Sequence, residues 1–212
     1  TEESGGASKD TLVVALPTDP GNIRFDNITA YTQPIMFNVT ECLYKANNNG
    51  GYDGVLAESY EMDEDNLGVT IKLREGVKFH NGDELKASDV LFSLGMAKTG
   101  GFSSNLESIN VDESEAVDDY EVHLKFDYVY GPWLEGLIYS PIFSEAAYKA
   151  SDETTFWISP VGTGSYMIDE WSSGDQITLI RFDDYWGEPA KIKNVIFRII
   201  NETSVAMMEL QT

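Results

Sequence analysis

The side chains best suited to bind a metal in this sequence are His80, His123 and Cys42, together with many carboxylates. A protein-bound zinc or similar ion needs several such ligands at short, characteristic spacings. Neither histidine has a second His or Cys at such a spacing, and the chain contains a single cysteine. A lone thiol in a predicted helix such as Phe37–Tyr44 is more typical of a small buried residue. The spacing therefore predicts no bound metal and no cofactor.

Catalytic groups have no better support. Nucleophilic catalysis needs a base beside a Ser, Thr or Cys, and neither a G-x-S-x-G elbow nor an S-x-x-K motif occurs. The carboxylate pairs Asp63/Asp65 and Asp118/Asp119 fall at expected hairpin tips, where solvated turn residues are the rule. Gly162-Thr163-Gly164 lacks the G-K-S/T of a nucleotide-binding loop, so its glycines are expected to serve a sharp turn. We expect a protein that is not an enzyme.

Composition excludes further classes of partner. The 212 residues include 36 Asp and Glu against 14 Lys and Arg, a net charge of −22 that repels nucleic acid and anionic membranes. Hydrophobic residues make up 42% of the chain, enough for a sizeable core, and no apolar run reaches the length of a transmembrane helix. Residues 1–10 are small and polar, which predicts a flexible tether. Such a segment is either the remainder of a secreted, lipid-anchored chain or a remnant of cloning.

The elements that would position a site mix strands and helices without a regular repeat. Val69, Ile71 and Leu73 alternate with polar residues, the pattern of a half-buried strand, and Asn81-Gly82 marks a turn. Ser88 is the expected N-cap of the next helix. Other helices are expected at 31–44, 131–137 and 146–150 and from 203, and other strands at 11–16, in hairpins over 55–73, 109–126 and 166–182, and at 195–200. This order favours a mixed α+β fold over a doubly wound parallel sheet.

Three motifs occur in a fixed order along the chain. Leu73–Gly82 reads LREGVKFHNG, Pro160–Tyr166 reads PVGTGSY and Asp184–Gly187 reads DYWG. Together they resemble the signatures of the extracellular solute-binding proteins of peptide, opine and nickel ABC importers, solute-binding family 5. Ser165 stands where that family usually has proline.

The resemblance implies a fold and a role. The fold would be the first lobe of a two-lobed, hinge-closing, periplasmic-binding-protein-like type II structure, truncated in this sequence. Its core subdomain would comprise residues 11–44 and 156–212, with an inserted subdomain at 45–155. The protein would capture a peptide, metal chelate or similar small solute outside the cytoplasm, in the periplasm or lipid-anchored at the bacterial surface. It would deliver that solute to the membrane permease of an ABC importer. A stand-alone extracellular binding or adhesion module is the alternative.

The resemblance also suggests which residues bind the solute. Tyr31 and Met36 match cleft residues of the nickel-binding branch, whereas Thr32 and Gln33 match the place where backbone binds an extended peptide. Phe102 and Ser140 stand where nickel-type members carry a Trp and an Arg, and Asp19 and Asn22 lie in the neighbouring loop. Losing the Arg removes a clamp for a ligand carboxylate, so peptide and chelate remain open. We expect Tyr31, Met36, Phe102 and Ser140 to share one open face beside loop 18–22.

Overall fold

A computed structural model describes residues 10–25, 27–101 and 103–209. Its strands are β1 (Thr11–Leu16), β2 (Tyr44–Ala46), β3 (Tyr52–Gly54), β4 (Ala57–Met62), β5 (Gly68–Leu73), β6 (Ile109–Ala116), β7 (Glu121–Phe126), β8 (Tyr166–Ser172), β9 (Gln176–Arg181) and β10 (Asn194–Ile199). Its α-helices are α1 (Gln33–Val39), α2 (Ala87–Ala97), α3 (Trp133–Leu137), α4 (Glu145–Ala150), α5 (Glu153–Ile158) and α6 (Thr203–Glu209), with a 3₁₀ turn at Ser103–Leu106. No helix in this part of the chain is long and apolar enough to cross a membrane. Most of the tether predicted for residues 1–10 lies outside the described residues.

The first sheet joins the two ends of the chain. Its order is β1-β10-β9-β8, with β1 parallel to β10 and the other neighbours antiparallel. One face of α1 packs against this sheet and buries Ile35, Met36 and Val39 completely. The mixed pairing agrees with the predicted α+β fold, because a doubly wound fold would have a mostly parallel sheet.

The second sheet is antiparallel, in the order β4-β5-β7-β6, and α2 packs on it. Val69, Ile71 and Leu73 are fully buried along β5, as their alternation predicts. The predicted N-cap of α2 is wrong: the helix is capped at Lys86, not at Ser88. The physical reason is Asp89, whose carboxylate accepts a hydrogen bond from the Lys86 backbone N–H at 2.9 Å and fixes the start two residues earlier.

The end of α1 joins the two halves of the molecule. The helix stops at Val39, short of the predicted Tyr44, because Thr40 is extended and Glu41 pairs with Ile142. The 162–164 loop lies directly against this end. A Cβ on Gly164 would overlap the backbone of residues 38 and 39, and one on Gly162 would overlap that of residues 39 and 40. The glycines are therefore needed for close packing rather than for binding a phosphate.

The half-buried His80 also contacts the 162–164 loop, and we call the contact of this loop with His80 and the end of α1 the joint. The His80 Nε2 lies 2.9 Å from the Gly164 carbonyl oxygen, and the Gly162 N–H points to Nδ1 at 3.4 Å. Nδ1 accepts and Nε2–H donates, so the ring is neutral. Burial lowers its pKa, and the ring stacks edge-on against Phe182. The turn predicted at Asn81-Gly82 thus presents His80 to the glycine loop.

Two hydrophobic clusters fill the interior. The smaller one lies between α1 and the first sheet, and the larger one surrounds the second sheet and α2. Phe25, Phe156 and Trp157 belong to the larger cluster although the sequence assigns them to the core subdomain. The division into 11–44 plus 156–212 and 45–155 stays a prediction.

Candidate functional site

Three loops converge at one side of the molecule, and we call their surface the loop face (the described residues of 18–33, 100–106 and 136–140). The Gly101 N–H donates to the Phe25 carbonyl at 2.9 Å, which joins the first two loops. Gly136 packs so closely on Asn105 that a Cβ would overlap its carbonyl, which joins the last two. Phe102 itself lies outside the described residues. Gly100 and Gly101, which precede it, lie against Phe25.

Two predicted binding residues offer side-chain surface on the loop face. Tyr31 is 40% exposed, and Gln33 is half-buried in the first turn of α1. Thr32 between them is fully buried, and its hydroxyl donates to the Asn27 carbonyl at 2.7 Å and accepts from the Thr29 N–H at 2.7 Å. Its side chain therefore shapes the loop instead of facing solvent.

Met36 and Ser140 do not belong to the open face that the sequence predicts. Met36 is fully buried in the cluster beneath α1. Ser140 is 2% exposed, and its hydroxyl donates to the Gly136 carbonyl at 2.8 Å. A motif fixes a position along the chain, but the direction of a side chain depends on packing. Both side chains are therefore part of the packing beneath the surface.

Asp19 and Asn22 also use their side chains internally. The Asp19 carboxylate accepts from the N–H groups of Gly21 and Gly174, from Trp171 Nε1 and from the Ser173 hydroxyl, at 2.7–3.2 Å. Burial opposes its ionisation, but these four hydrogen bonds outweigh burial and lower the pKa of Asp19. Asn22 Oδ1 accepts from the Arg24 N–H at 3.1 Å. The loop is thereby fixed to the β8–β9 hairpin.

A second hollow, the Glu41 cleft, has a volume of about 570 Å³ and contains none of the predicted binding residues. It lies between the end of α1, the β2–β3 hairpin, residues 138–139 and residues 185–188. Its lining residues are Phe37, Thr40, Glu41, Cys42, Tyr44, Lys45, Ala46, Gly54, Val55, Ile138, Tyr139, Tyr185, Trp186, Gly187 and Glu188.

The half-buried Glu41 carboxylate is the central polar group of this cleft. It accepts from the Tyr185 hydroxyl at 2.6 Å and from Trp186 Nε1 at 2.8 Å. Burial raises its pKa, although these hydrogen bonds and the charge of Lys45 act in the opposite direction. Among the described residues, no Lys, Arg or His nitrogen lies within 4.0 Å of this carboxylate. In the same part of the chain, no three His, Cys, Asp or Glu side chains cluster closely enough to hold a metal ion.

Sequence reasoning missed this cleft. It treated Tyr185-Trp186-Gly187 only as a family marker and placed Glu41 inside a helix. One signal was available: Glu41 is the single charged residue in the otherwise uncharged run from Tyr31 to Tyr44. A charge in such a run indicates either a specific partner or a solvent-facing cleft.

Comparison with known proteins defines the class. Residues 51–212 match the bacterial extracellular solute-binding proteins, family 5 Middle, and the chain belongs to this family. The family expected from the three motifs is thereby confirmed.

Two relatives and one solved structure show which proteins this chain is similar to. The dipeptide-binding protein of Escherichia coli (strain K12) is 30% identical over 181 residues, covering 74% of this chain and 34% of the relative. The glutathione-binding protein GsiB of the same organism is 28% identical over 212 residues, covering 96% and 41%. The oligopeptide-binding protein AppA from Bacillus subtilis, solved with a nonapeptide, gives a TM-score of 0.84 at 25% identity, covering 95% and 42%. This chain therefore spans about two fifths or less of the length of these proteins, and its fold is that of one lobe of theirs.

Proposed function

We propose that this chain captures a peptide outside the cytoplasm as part of the substrate-binding component of an ABC importer. The observation that carries the proposal is the convergence of three loops on one open face in a chain of this family. Tyr31 would contact the solute with its side chain, whereas Thr32 and Gln33 would contact it through backbone groups. Phe102 and the loop from Asp19 to Asn22 would border the site.

The polar groups of the loop face favour a peptide over a carboxylate-rich metal chelate. Recognition of a chelate carboxylate is strongest with a bidentate arginine. The structure has Ser140 at the position in question, and its hydroxyl is already bonded to Gly136. Backbone amides near an exposed loop suit the amides of an extended peptide, which match them along their length. The names of the relatives, which bind a dipeptide, glutathione and oligopeptides, point the same way.

The proposed role implies a cellular location and a protein partner. A family 5 protein acts outside the cytoplasm, and we propose the periplasm or a lipid anchor at the bacterial surface as its location. Its protein partner would be the permease of the importer. No chemistry on the solute is required, because capture depends on closure of two lobes around it.

Two-dimensional amide NMR of this chain tests the proposal. The probes are a tripeptide, a pentapeptide and the nickel–histidine chelate. One lobe supplies only part of the contacts, and these must offset an association entropy of about 4–15 kcal/mol, so we expect dissociation constants of about one millimolar or weaker. Supporting shifts would be confined to residues 18–33, 100–106 and 136–140 and would be larger for the peptides.

Three results would overturn parts of this proposal. Shifts with the chelate alone would exclude the peptide as ligand. No localised shift with any probe would remove the loop face as the site. Micromolar binding by the monomer would show a site complete within this chain and would favour the stand-alone binding module.

A further inference from the structure

We propose that the Glu41 cleft is a second binding site, which takes a small organic cation: an ammonium group attached to an aromatic or apolar body. This inference is independent of the proposed peptide capture, because none of the residues assigned to the peptide lines the cleft. It depends on three features of the cleft: a carboxylate that makes no ion pair among the described residues, aromatic walls and an excess of carboxylates in the lining.

The first feature is the carboxylate. Placing a charge away from water is unfavourable unless an opposite charge or several hydrogen bonds compensate for it. Tyr185 and Trp186 donate to Glu41, and the Thr163 hydroxyl and the Lys45 charge lie close enough to favour its ionised form, but no described cation is within 4.0 Å of it. A carboxylate offers about four acceptor positions, so three donors leave room for a further hydrogen bond. An ammonium group supplies both the charge and the donors.

The second feature is the set of aromatic walls. Five aromatic residues line the cleft: Phe37, Tyr44, Tyr139, Tyr185 and Trp186. The faces of such rings attract cations. Trp186 already holds one, because the Arg74 guanidinium lies 5.2 Å from its ring centre while Arg74 Nε donates to the Val55 carbonyl at 3.0 Å. A volume of about 570 Å³ is in the range of natural small-molecule sites.

The third feature is the charge of the lining. Its charged side chains are Glu41, the exposed Glu188 and the exposed Lys45, whose charge also acts on Glu41. Arg74 lies nearby on the Trp186 ring, but it is engaged with the Val55 carbonyl. The lining itself therefore carries one more carboxylate than ammonium groups, which favours a cation as ligand.

A purely structural role for Glu41 makes a different prediction. If its task were only to bind Tyr185 and Trp186, a neutral glutamine would serve nearly as well, because its oxygen can accept from Trp186 Nε1 while its NH₂ group donates to the Tyr185 hydroxyl oxygen. The charge of Glu41 would then have no effect on any ligand. A pair of probes that differ only in charge separates the two roles in the unmodified chain.

The experiment compares 2-phenylethylammonium with 2-phenylethanol. Binding is followed through the indole N–H signal of Trp186 by NMR, with Trp133, Trp157 and Trp171 as internal references. We expect saturable binding of the ammonium probe that is about tenfold tighter than binding of the alcohol, equivalent to about 1.4 kcal/mol. Glu41→Gln should abolish this preference, and Glu188→Gln, at the exposed rim, should keep most of it.

Several results would overturn the inference. Equal binding of the two probes would reduce the cleft to an apolar hollow. Shifts spread over all four indole signals would indicate diffuse attraction by the acidic surface, and no shift with either probe would exclude a site. A preference retained in Glu41→Gln would remove Glu41 from recognition. If that variant does not fold, the comparison of the two probes in the unmodified chain still decides whether the cleft recognises charge.

Discussion

The loop face and the Glu41 cleft use their polar side chains in opposite ways. On the loop face, Asp19 accepts four hydrogen bonds from the protein, and Thr32 is fully used inside its own loop. In the cleft, Glu41 accepts hydrogen bonds from Tyr185 and Trp186 and makes no ion pair with any residue that the structure describes. The comparison teaches that the polar side chains of the loop face serve the protein's own loops, whereas the Glu41 carboxylate, which the DYWG motif contacts, keeps capacity for a further partner.

The largest expected effect on stability comes from the 162–164 loop, because this loop packs against the end of α1, on which both regions depend. Gly164→Ala would force a Cβ against the backbone at the end of α1, which cannot move without shifting both the loop face and the cleft. We expect a loss of about 3 kcal/mol in the free energy of unfolding, measured with urea. Gly131→Ala is the matched control, since nothing lies within 4 Å of its Cβ position and its φ is not positive. A neutral Gly164→Ala would contradict the role assigned to this loop.

The next effect separates the two regions directly. Asp19→Ala removes the acceptor of four hydrogen bonds and should cost about 2 kcal/mol of stability, whereas Glu41→Gln should change stability by less than about 1 kcal/mol. Asp169→Ala, at an exposed position of β8, is the control. Similar losses for Asp19→Ala and Glu41→Gln would mean that both carboxylates are structural, and the contrast between the regions would disappear.

Lowering the pH should change the free energy of unfolding in opposite directions through His80 at the joint and through Glu41 in the cleft. The pKa of His80 is lowered below its ordinary 6.5, so the stability it contributes is complete above pH 6.5 and is lost as the pH falls towards its folded value. The loss is at most about 1.4 kcal/mol per pH unit. The raised pKa of Glu41 means that folded protein binds a proton sooner than unfolded protein, so this group adds stability as the pH falls from neutrality towards 4.5.

Urea unfolding between pH 7 and pH 5 measures both contributions by difference. His80→Gln should flatten the loss of stability on acidification, because the amide cannot take up a proton, and His123→Gln serves as the control for a second histidine. Glu41→Gln should make the loss steeper, since it removes the opposing contribution. Unchanged slopes in both variants would show that these groups keep their ordinary pKa values.

The smallest effect concerns the exposed residues of the loop face. Tyr31→Ala and Gln33→Ala should change stability by less than about 0.5 kcal/mol, because neither side chain is buried. If the face binds a peptide, Tyr31→Ala should nevertheless reduce the NMR shifts caused by the tripeptide. Thr32→Val removes an internal hydroxyl, so it should lower the free energy of unfolding and have a smaller effect on the NMR shifts caused by the tripeptide. Equal loss of stability in all three variants would contradict the division between contacting and supporting residues.

Local patterns in the sequence predicted much of the fold. The strand at 11–16 and the buried alternation along β5 depend on neighbouring residues only. The end of α1 could not be predicted in this way, because it is set by the pairing of Glu41 with the distant Ile142. The site shows the same limit. The resemblance supplies positions along the chain, and their role in binding stays a prediction, but the burial of Met36 and Ser140 is decided by packing partners elsewhere in the chain.

The pairing of β1 with β10 has a consequence for the order in which the chain folds. Thr11 and Asn194, which face each other in this pair, are 183 positions apart. Closing so long a loop is slow compared with forming the hairpins of the second sheet. Pulse-labelled hydrogen exchange during refolding should therefore protect amides of β5 and β7 before those of β1. During synthesis the first strand would leave the ribosome early and then wait, with Leu12 and Val13 unpaired, until nearly the whole of this segment had followed.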